Sequence, residues 1–410
     1  MKERTKFVLE WEQLWKENEG RVNMTELCRK YGISRPQGYL WVKRYRDGGW
    51  DIAVVVEKSR RPHRSPTQVS AETEARIVAE RKRHPRWGPR KLRRWMLERH
   101  PKKRVPSSST IGAVLDRAGL TARRGRRRRG APIPGVVTPF ASCRGANATW
   151  CIDFKGKFQT LDGRWCHVLT LVDAYTRFLL RCEVVRDPDS FEVDRVLRSA
   201  FAEYGLPDCI RSDNGPPFAS TGAGTLTQLS VGWLRLGLRV ERIAKGRPDQ
   251  NGRLERLHRS LEEVIAEPAQ DARAQQRRFD RWRREYNHER PHEALGMRTP
   301  ASLYAPSVKQ YPRPLLQNEP AAWNRSLIVD DHGNINWHRR KRVHISASLA
   351  REVVEVERLG PTRVAVRFGA VLLGWIDEER LQDGLVVANQ RAKGKILTLA
   401  FVAPDERRGK

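Results

Sequence analysis

Hydrophobic positions change period along this chain, and the changes divide it into parts. Between residues 24 and 46, Met24, Leu27 and Cys28 form a short helical face, Tyr31-Gly32-Ile33 reads as a tight turn, and Ser34 opens a second helix. The pattern predicts a helix-turn-helix with a capping box at Ser34-Arg35-Pro36-Gln37 and with Tyr39 and Leu40 packed inward. A generic helical hairpin has the same apolar spacing. Three more short helices are predicted over about 66–120. One follows Ser70 and carries Ile77 and Val78, and one follows Trp87-Gly88-Pro89 and carries Leu92, Trp95, Met96 and Leu97. The last opens at Ser107-Ser108-Ser109 and carries Ile111, Val114 and Leu115. They read as a second DNA-reading module, although a plain helical core looks the same at this level.

From Trp150 the period shortens. Residues 150–154, 166–172 and 178–185 are apolar runs of strand length, as in strands buried on both faces. A helix through Phe191, Val193, Val196, Leu197 and Phe201 follows, then a strand at Cys209-Ile210, a helix around 226–236 and a strand at 238–243. The last helix of this part carries Leu254, Leu257, Leu261, Val264 and Ile265 on one stripe. Three strands followed by alternating helices and strands predict a mixed α/β sheet. Beyond Pro306, Pro312 and Pro314, the segments 342–345, 352–357, 363–368, 371–376 and 396–402 predict a small β-barrel.

Charge sharpens this division. The 410 residues include 79 Lys and Arg against 48 Asp and Glu, a formal net charge of +31. Residues 1–130 supply +21 of it, as expected of modules that grip a polyanion. The peak is Arg123-Arg124-Gly125-Arg126-Arg127-Arg128-Arg129. Crowded like charges resist compact folding, so 121–139 reads as a basic linker that tracks phosphate. No apolar run approaches the ~18–20 residues of a membrane span. Met1-Lys2-Glu3-Arg4-Thr5-Lys6 leads into acidic and aromatic residues rather than a signal-peptide core. Six cysteines with no C-x-x-C pair argue against a disulfide framework or a zinc knuckle. These features predict an intracellular protein, cytoplasmic and nucleoid-associated, with no membrane partner.

The middle part carries the candidate chemistry. Asp153 lies inside an apolar strand, Asp213 follows a strand within Ser212-Asp213-Asn214-Gly215, and Glu255 opens the last helix. Each has a structural alternative: a buried hydrogen-bonded carboxylate, a hairpin turn, and a solvated side chain at the margin of the stripe. Brought to one sheet edge, they repel one another unless a cation sits between them. Hard carboxylate oxygens without a Cys or His cluster suit Mg²⁺ or Mn²⁺, and two such ions can run an in-line displacement at phosphorus. Lys245, Arg247, Arg253 and Arg256 surround the third acid in sequence and are expected to draw a phosphate backbone towards it. Asn251, one turn before Glu255, is expected to orient it or to touch DNA, and His258 to pack or to meet phosphate. Asp173 is read as structural.

Trp150-Cys151-Ile152-Asp153, Ser212-Asp213-Asn214-Gly215 and Lys245-Gly246-Arg247-Pro248-Asp249-Gln250-Asn251-Gly252-Arg253-Leu254-Glu255-Arg256-Leu257-His258-Arg259 resemble the integrase-core DDE transposases of bacterial insertion sequences. Tyr286-Asn287, Arg290-Pro291-His292, Leu295 and Thr299-Pro300 are similar to the tail behind that core, and the likeness covers roughly residues 10–305. It implies an RNase H-like fold with Asp153, Asp213 and Glu255 as catalytic, metal-binding triad. Asp213 and Glu255 are separated by 41 residues, a handful more than the family's usual gap. The excess fits the loop Ser220-Thr221-Gly222-Ala223-Gly224, with Glu262 or Glu263 as third acid if the helix register shifts. The chain also lacks the front zinc module of the retroviral relatives.

The fold class expected is therefore multidomain. Helix-turn-helix modules over 1–60 and 61–120 (the second winged-helix-like) precede an α/β RNase H-like core over 140–305, and a linker over 306–320 leads to an SH3-like β-barrel over 321–410. Expected partners are double-stranded DNA, as element ends and target, and further copies of the chain, at least a dimer. Two Mg²⁺ or Mn²⁺ ions are the expected cofactor, and a helper ATPase is left open. DNA contacts are assigned to Arg35, Gln37, Lys43, Arg44, Arg46, Lys102, Lys103, Arg104, Arg126, Arg127, Arg128, Lys245, Arg247, Asn251, Arg253, Arg256 and Arg340. The expected reaction is cleavage at terminal inverted repeats to a 3′-OH and strand transfer into target DNA. A metal-dead DNA-binding regulator and a nuclease that cuts without joining are the rival readings.

Overall fold

The computed structural model describes residues 3–56, 69–121, 143–244, 247–312, 314–315, 325–338, 341–388 and 397–399. Met1–Ser70 and Ala71–Lys410 form two compact units. In the first, helices α1 (Glu3–Glu17), α2 (Met24–Lys30), α3 (Arg35–Asp47) and α4 (Ile52–Val55) close around Phe7, Trp11, Met24, Leu27, Trp41, Val42 and Tyr45. The predicted turn is present, with Gly32 at φ +61°, a conformation glycine adopts without penalty. A Cβ at Gly38 would lie 2.6 Å from the Cys28 sulfur, so the close approach of α2 and α3 requires glycine there. Two details differ from the sequence reading. The α3 stripe is Gly38, Trp41, Val42 and Tyr45, which leaves Tyr39 and Leu40 exposed, and the Ser34 side chain makes no capping hydrogen bond. Helix α1 had not been predicted, although Phe7, Val8 and Trp11 have helical spacing.

The second unit begins with the three short helices expected, α5 (Ala71–Arg83), α6 (Pro89–Arg99) and α7 (Ser108–Arg117). They pack Ile77, Trp87, Leu92, Trp95, Met96, Ile111, Val114 and Leu115 together, and Ser107 caps α7 by accepting from the Thr110 N–H. The mixed sheet follows. Strands β1 (Trp150–Gln159), β2 (Trp165–Asp173) and β3 (Leu179–Val185) are antiparallel, while β4 (Cys209–Ser212) and β5 (Arg239–Arg242) run parallel to β1 on its other side. Alternation along β1 sends Trp150 and Ile152 to one face, under α8 (Ser190–Tyr204) and α9 (Gln228–Arg235), and Cys151 to the other, under α10 (Gly252–Ala266) and α11 (Ala272–His288). The sheet thus lies between two helical layers. Helix α11 had escaped the sequence reading, because its stripe of Gln275, Phe279 and Tyr286 is diluted by arginines.

The C-terminal strands β6 (Arg325–Ile328), β9 (Val353–Arg358), β10 (Arg363–Phe368), β11 (Val371–Asp377) and β12 (Leu385–Val387) form an antiparallel sheet, joined by a hairpin of β7 (Asn334–Asn336) and β8 (Arg342–His344). Its apolar face merges with that of the α/β layer in one continuous core, and Arg235 on α9 pairs with Glu352 at 3.1 Å. One strand assigned to this barrel lies elsewhere: β13 (Leu397–Leu399) pairs antiparallel with β5 at the edge of the mixed sheet. Its alternation fits either sheet, and the free edge of β5 accepts it. Among the described residues, no helix is long and apolar enough to cross a membrane.

Arg211 and Glu241, on neighbouring strands β4 and β5, form a buried ion pair: the Arg211 Nε and Nη2 donate to one Glu241 oxygen at 2.8 and 2.6 Å. Arg211→Met strands the Glu241 charge and should cost about 3–5 kcal/mol in urea unfolding, most of it recovered in the double variant with Glu241→Leu. Unchanged stability in the single variant would contradict this role.

Candidate active site

Register brings the two aspartates together. Strand β4 lies beside β1 with Cys151 opposite Arg211. Two residues further along each chain, in the same direction, stand Asp153 and Asp213, roughly one strand spacing apart. Glu255 is in the first turn of α10, which packs on this face of the sheet through Leu254, Leu257 and Leu261. The Asp153 carboxyl is pushed up to about 7, first by burial, then by the charge of Asp213 and, less, of Glu255. The Phe154 N–H, 2.8 Å from its Oδ1, and Lys155 act the other way. Burial also raises Asp213, against the Gly215 N–H and the Arg242 guanidinium. Glu255 is exposed. The acids therefore share a field, but among the described residues no three Asp, Glu, His or Cys side chains are grouped so as to hold a metal. As chemistry, a half-buried aspartate pair with a carboxylate at its rim is a hard-oxygen donor set suited to Mg²⁺ or Mn²⁺.

Neighbouring groups hold this edge in place. The Asn214 amide donates to the Ile243 carbonyl, tying the Asp213 loop to the end of β5. Thr170 on β2 donates to the Asp153 carbonyl and is 2.8 Å from His258 Nε2, which seats α10 on the sheet. Burial, with Lys155 nearby, lowers His258 to about 4, so it packs as a neutral ring. Asp173 is fully buried and accepts from the Asn147 N–H and from the N–H and hydroxyl of Thr176, a structural turn.

Sequence reading missed Arg242 and Lys155. Arg242 is fully buried, donates to the Ser212 hydroxyl at 3.2 Å and acts on Asp213; Lys155 acts on Asp153 and pairs with Glu262 at 3.2 Å. The strand Arg239-Val240-Glu241-Arg242 alternates like a half-exposed one, so the sequence carries no signal for Arg242. Glu262, the alternative third acid, is exposed and engaged with Lys155, while the side chain of Glu263 lies outside the described part.

The assigned DNA contacts scatter. Arg35, Lys43, Arg44 and Arg46 are exposed on α3 and Gln37 is half-buried. Lys102, Lys103 and Arg104 are exposed before α7, with Lys103 3.2 Å from Glu72. Arg253 and Arg256 do not flank the acids as expected. Helical rotation of 100° per residue turns them to the other flank of α10, where they line a cavity with Leu257 and Ser260. Asn251 is buried, and among the described residues its side-chain oxygen has no hydrogen-bond partner. Arg247 is half-buried beside that segment. Arg126, Arg127, Arg128, Lys245, Arg340 and the linker core lie outside the described residues.

Comparison with known proteins matches this layout. Family models described as integrase core domain match residues 144–248 and 236–300, a helix-turn-helix domain matches 4–63, and a homeodomain-like domain matches 37–115. The chain is similar to an insertion element IS476 protein of 39.2 kDa from Xanthomonas euvesicatoria, 30% identical over 58% of this chain and 66% of that one. It is likewise similar to an insertion element IS407 protein of 31.7 kDa from Burkholderia multivorans, 30% identical over 46% of this chain and 65% of that one. The chain thus spans just under two thirds of these relatives. The catalytic core domain of BIV integrase aligns at 18% identity and a TM-score of 0.30, over 38% of this chain and 93% of that one.

The raised Asp153 carboxyl sets a pH dependence. The folded chain holds that proton up to about pH 7, whereas the unfolded chain releases it near the ordinary ~4. Stability from this group is therefore complete below about pH 4 and is lost as pH rises to about 7. Asp153→Asn should be more stable than wild type at pH 8, by on the order of 2–4 kcal/mol, and the gap should close towards pH 4. Equal thermal stability of the two proteins at pH 8 would count against a coupled acid cluster.

Proposed function

We propose that this chain, an RNase H-like integrase-core protein behind helix-turn-helix domains, is a DNA transposase that cuts and joins phosphodiesters at the ends of its own mobile element. The observation that supports this reading best is the strand register that carries Asp153 and Asp213 to the end of the parallel strand pair β1 and β4, with Glu255 in the first turn of the helix packed on that face. Such a cluster opposes folding and has a use only when cations occupy it. Asp153, Asp213 and Glu255 would hold the Mg²⁺ or Mn²⁺, with the Glu255 side chain free to swing inward from its exposed position. Bound divalent ions supply Lewis acidity and charge neutralisation at phosphorus, which carboxylates alone lack.

The residues around the acids have separate tasks in this reading. Arg242 and Lys155 keep the acidic edge from repelling a phosphate outright. The Asn214 and His258 hydrogen bonds fix the Asp213 loop and α10, so the acids approach from set directions. Water attacks first and leaves a 3′-OH, which then attacks target DNA, with no covalent protein intermediate. Exposed cations on α3 and before α7 bind the terminal repeats, and the C-terminal sheet, closed as a barrel, meets DNA or a second subunit. Two ends held together call for at least a dimer, working in the cytoplasm on the nucleoid.

Labelled element-end DNA with Mg²⁺, offered to wild type and to Asp213→Asn, tests the reading. Joining by the wild type only is expected, with a loss of activity of at least about a thousandfold in the variant. Cutting without joining identifies a nuclease, and binding by both proteins without cutting identifies a regulator.

A further inference from the structure

A cavity of about 210 Å³ lies on the far flank of α10 from the acids, walled by five cations: Lys91 from α6, Arg177 from the β2–β3 turn, Arg253 and Arg256 from α10, and Arg290 from the segment after α11. Among the described residues lining it, Glu293 is the one carboxylate, and it stands 3.9 Å from Arg90. A second helical module is pinned to α10 and α11 at this place. His84 is 2.9 Å from Glu285, and Arg86 donates to the Arg259 carbonyl. The cations meet there because two packed bodies hold them, in spite of their mutual repulsion.

The cost is visible in the groups themselves. Burial, and then Arg290, lowers the Lys91 ammonium to about 8. Burial, and then Arg253, lowers the Arg177 guanidinium to about 10. His292 at the wall is driven to about 3 by burial and then by Lys91, Arg290 and Arg177. Among the described residues, the buried nitrogens Arg177 Nη1 and His292 Nε2 have no hydrogen-bond partner. Arg177 also holds a left-handed φ of +65°, a strained conformation that aims its side chain from a turn Asp173 keeps rigid. Crowding half-buried cations is expensive, and the Glu293 carboxylate offsets only part of that cost, at Lys91.

We propose that this cavity is a phosphate seat that takes one backbone phosphodiester of bound DNA. The forked guanidinium groups and the ammonium converge from several directions, which suits a tetrahedral anion. The volume is below the ~300–1,000 Å³ of pockets that enclose a drug-sized ligand and leaves room for a phosphate group with its hydrogen-bonding cations. Because Lys91 belongs to the helical module and Arg256 to the catalytic layer, one seated phosphate fixes DNA on the module relative to the acids. The proposal rests on the DNA-acting reading above, but its site is separate from the acids.

The test uses the full chain and a short duplex, with binding followed by fluorescence anisotropy between about 50 and 200 mM salt. Lys91→Gln and Arg177→Gln should each weaken binding about tenfold and reduce the slope of log affinity against log salt by about one. Lys91→Arg, which keeps the charge, should retain affinity and slope. Inorganic phosphate should raise the melting temperature of the wild type, compared with chloride at equal ionic strength, and should not do so in the Lys91→Gln/Arg177→Gln protein. Unchanged duplex affinity and slope in folded variants overturns the proposal. Stabilisation by phosphate with unchanged DNA binding overturns it too, and assigns the seat to a free phosphate compound. Wild type that binds duplex with these dependences but never joins it overturns the transposase reading and leaves the seat standing.

Discussion

Half-buried carboxylates at the end of a parallel strand pair are the constraint around which this protein is arranged. Asp153 and Asp213 sit side by side because β1 and β4 run in register, and the sheet cannot separate them without breaking that register. Burial opposes both charges and Asp213 also opposes that of Asp153, while the cations Arg242 and Lys155 favour the charged forms of Asp213 and Asp153. The Arg211–Glu241 pair, one step deeper in the same strands, satisfies its own charges and keeps β4 against β5. The edge is thereby stiff in its backbone, and each carboxylate is steadied by one backbone N–H, Phe154 on Asp153 and Gly215 on Asp213.

Helix α10 divides the electrostatics of the second unit. Its apolar stripe of Leu254, Leu257 and Leu261 fixes its rotation on the sheet. That rotation leaves Glu255 exposed on one flank and turns Arg253 and Arg256 to the other, into a cavity closed by Lys91, Arg177 and Arg290. Acid and base are thus segregated onto two flanks of one helix, and the helical module with its own tryptophan core is fastened on the basic flank. The two flanks of α10 thus carry opposite charge, cations on one side and the acidic edge on the other.

The elements that carry the site were legible because their signals are local. Strand-length apolar runs located β1, β2 and β3, an Asp-Asn-Gly after a short strand located Asp213, and a five-residue apolar stripe located α10. Where a face is decided by distant partners, the sequence was silent or misleading. Arg211 and Arg242 look like ordinary polar positions of a half-exposed strand until β4 and β5 are placed centrally in a six-stranded sheet. The segment 397–399 alternates as any edge strand does, and what it pairs with depends on a free edge more than 150 positions earlier in the chain. Arg253 and Arg256 were grouped with Glu255 by proximity in sequence, whereas helical rotation sets them apart. Tyr39 and Leu40 show the same effect, with the inward stripe of α3 fixed by the glycine at position 38 and the helix packed against it.

The most direct test of the central claim is a crystal structure of the full chain soaked in Mn²⁺, with the ions located by anomalous scattering. The expected result is a strong peak bridging the Asp153 and Asp213 carboxylates, with Glu255 drawn inward to complete the oxygen shell at the ~2.0–2.3 Å typical of such ions. An acidic edge that stays empty at saturating Mn²⁺, with Glu255 still turned to solvent, would contradict it.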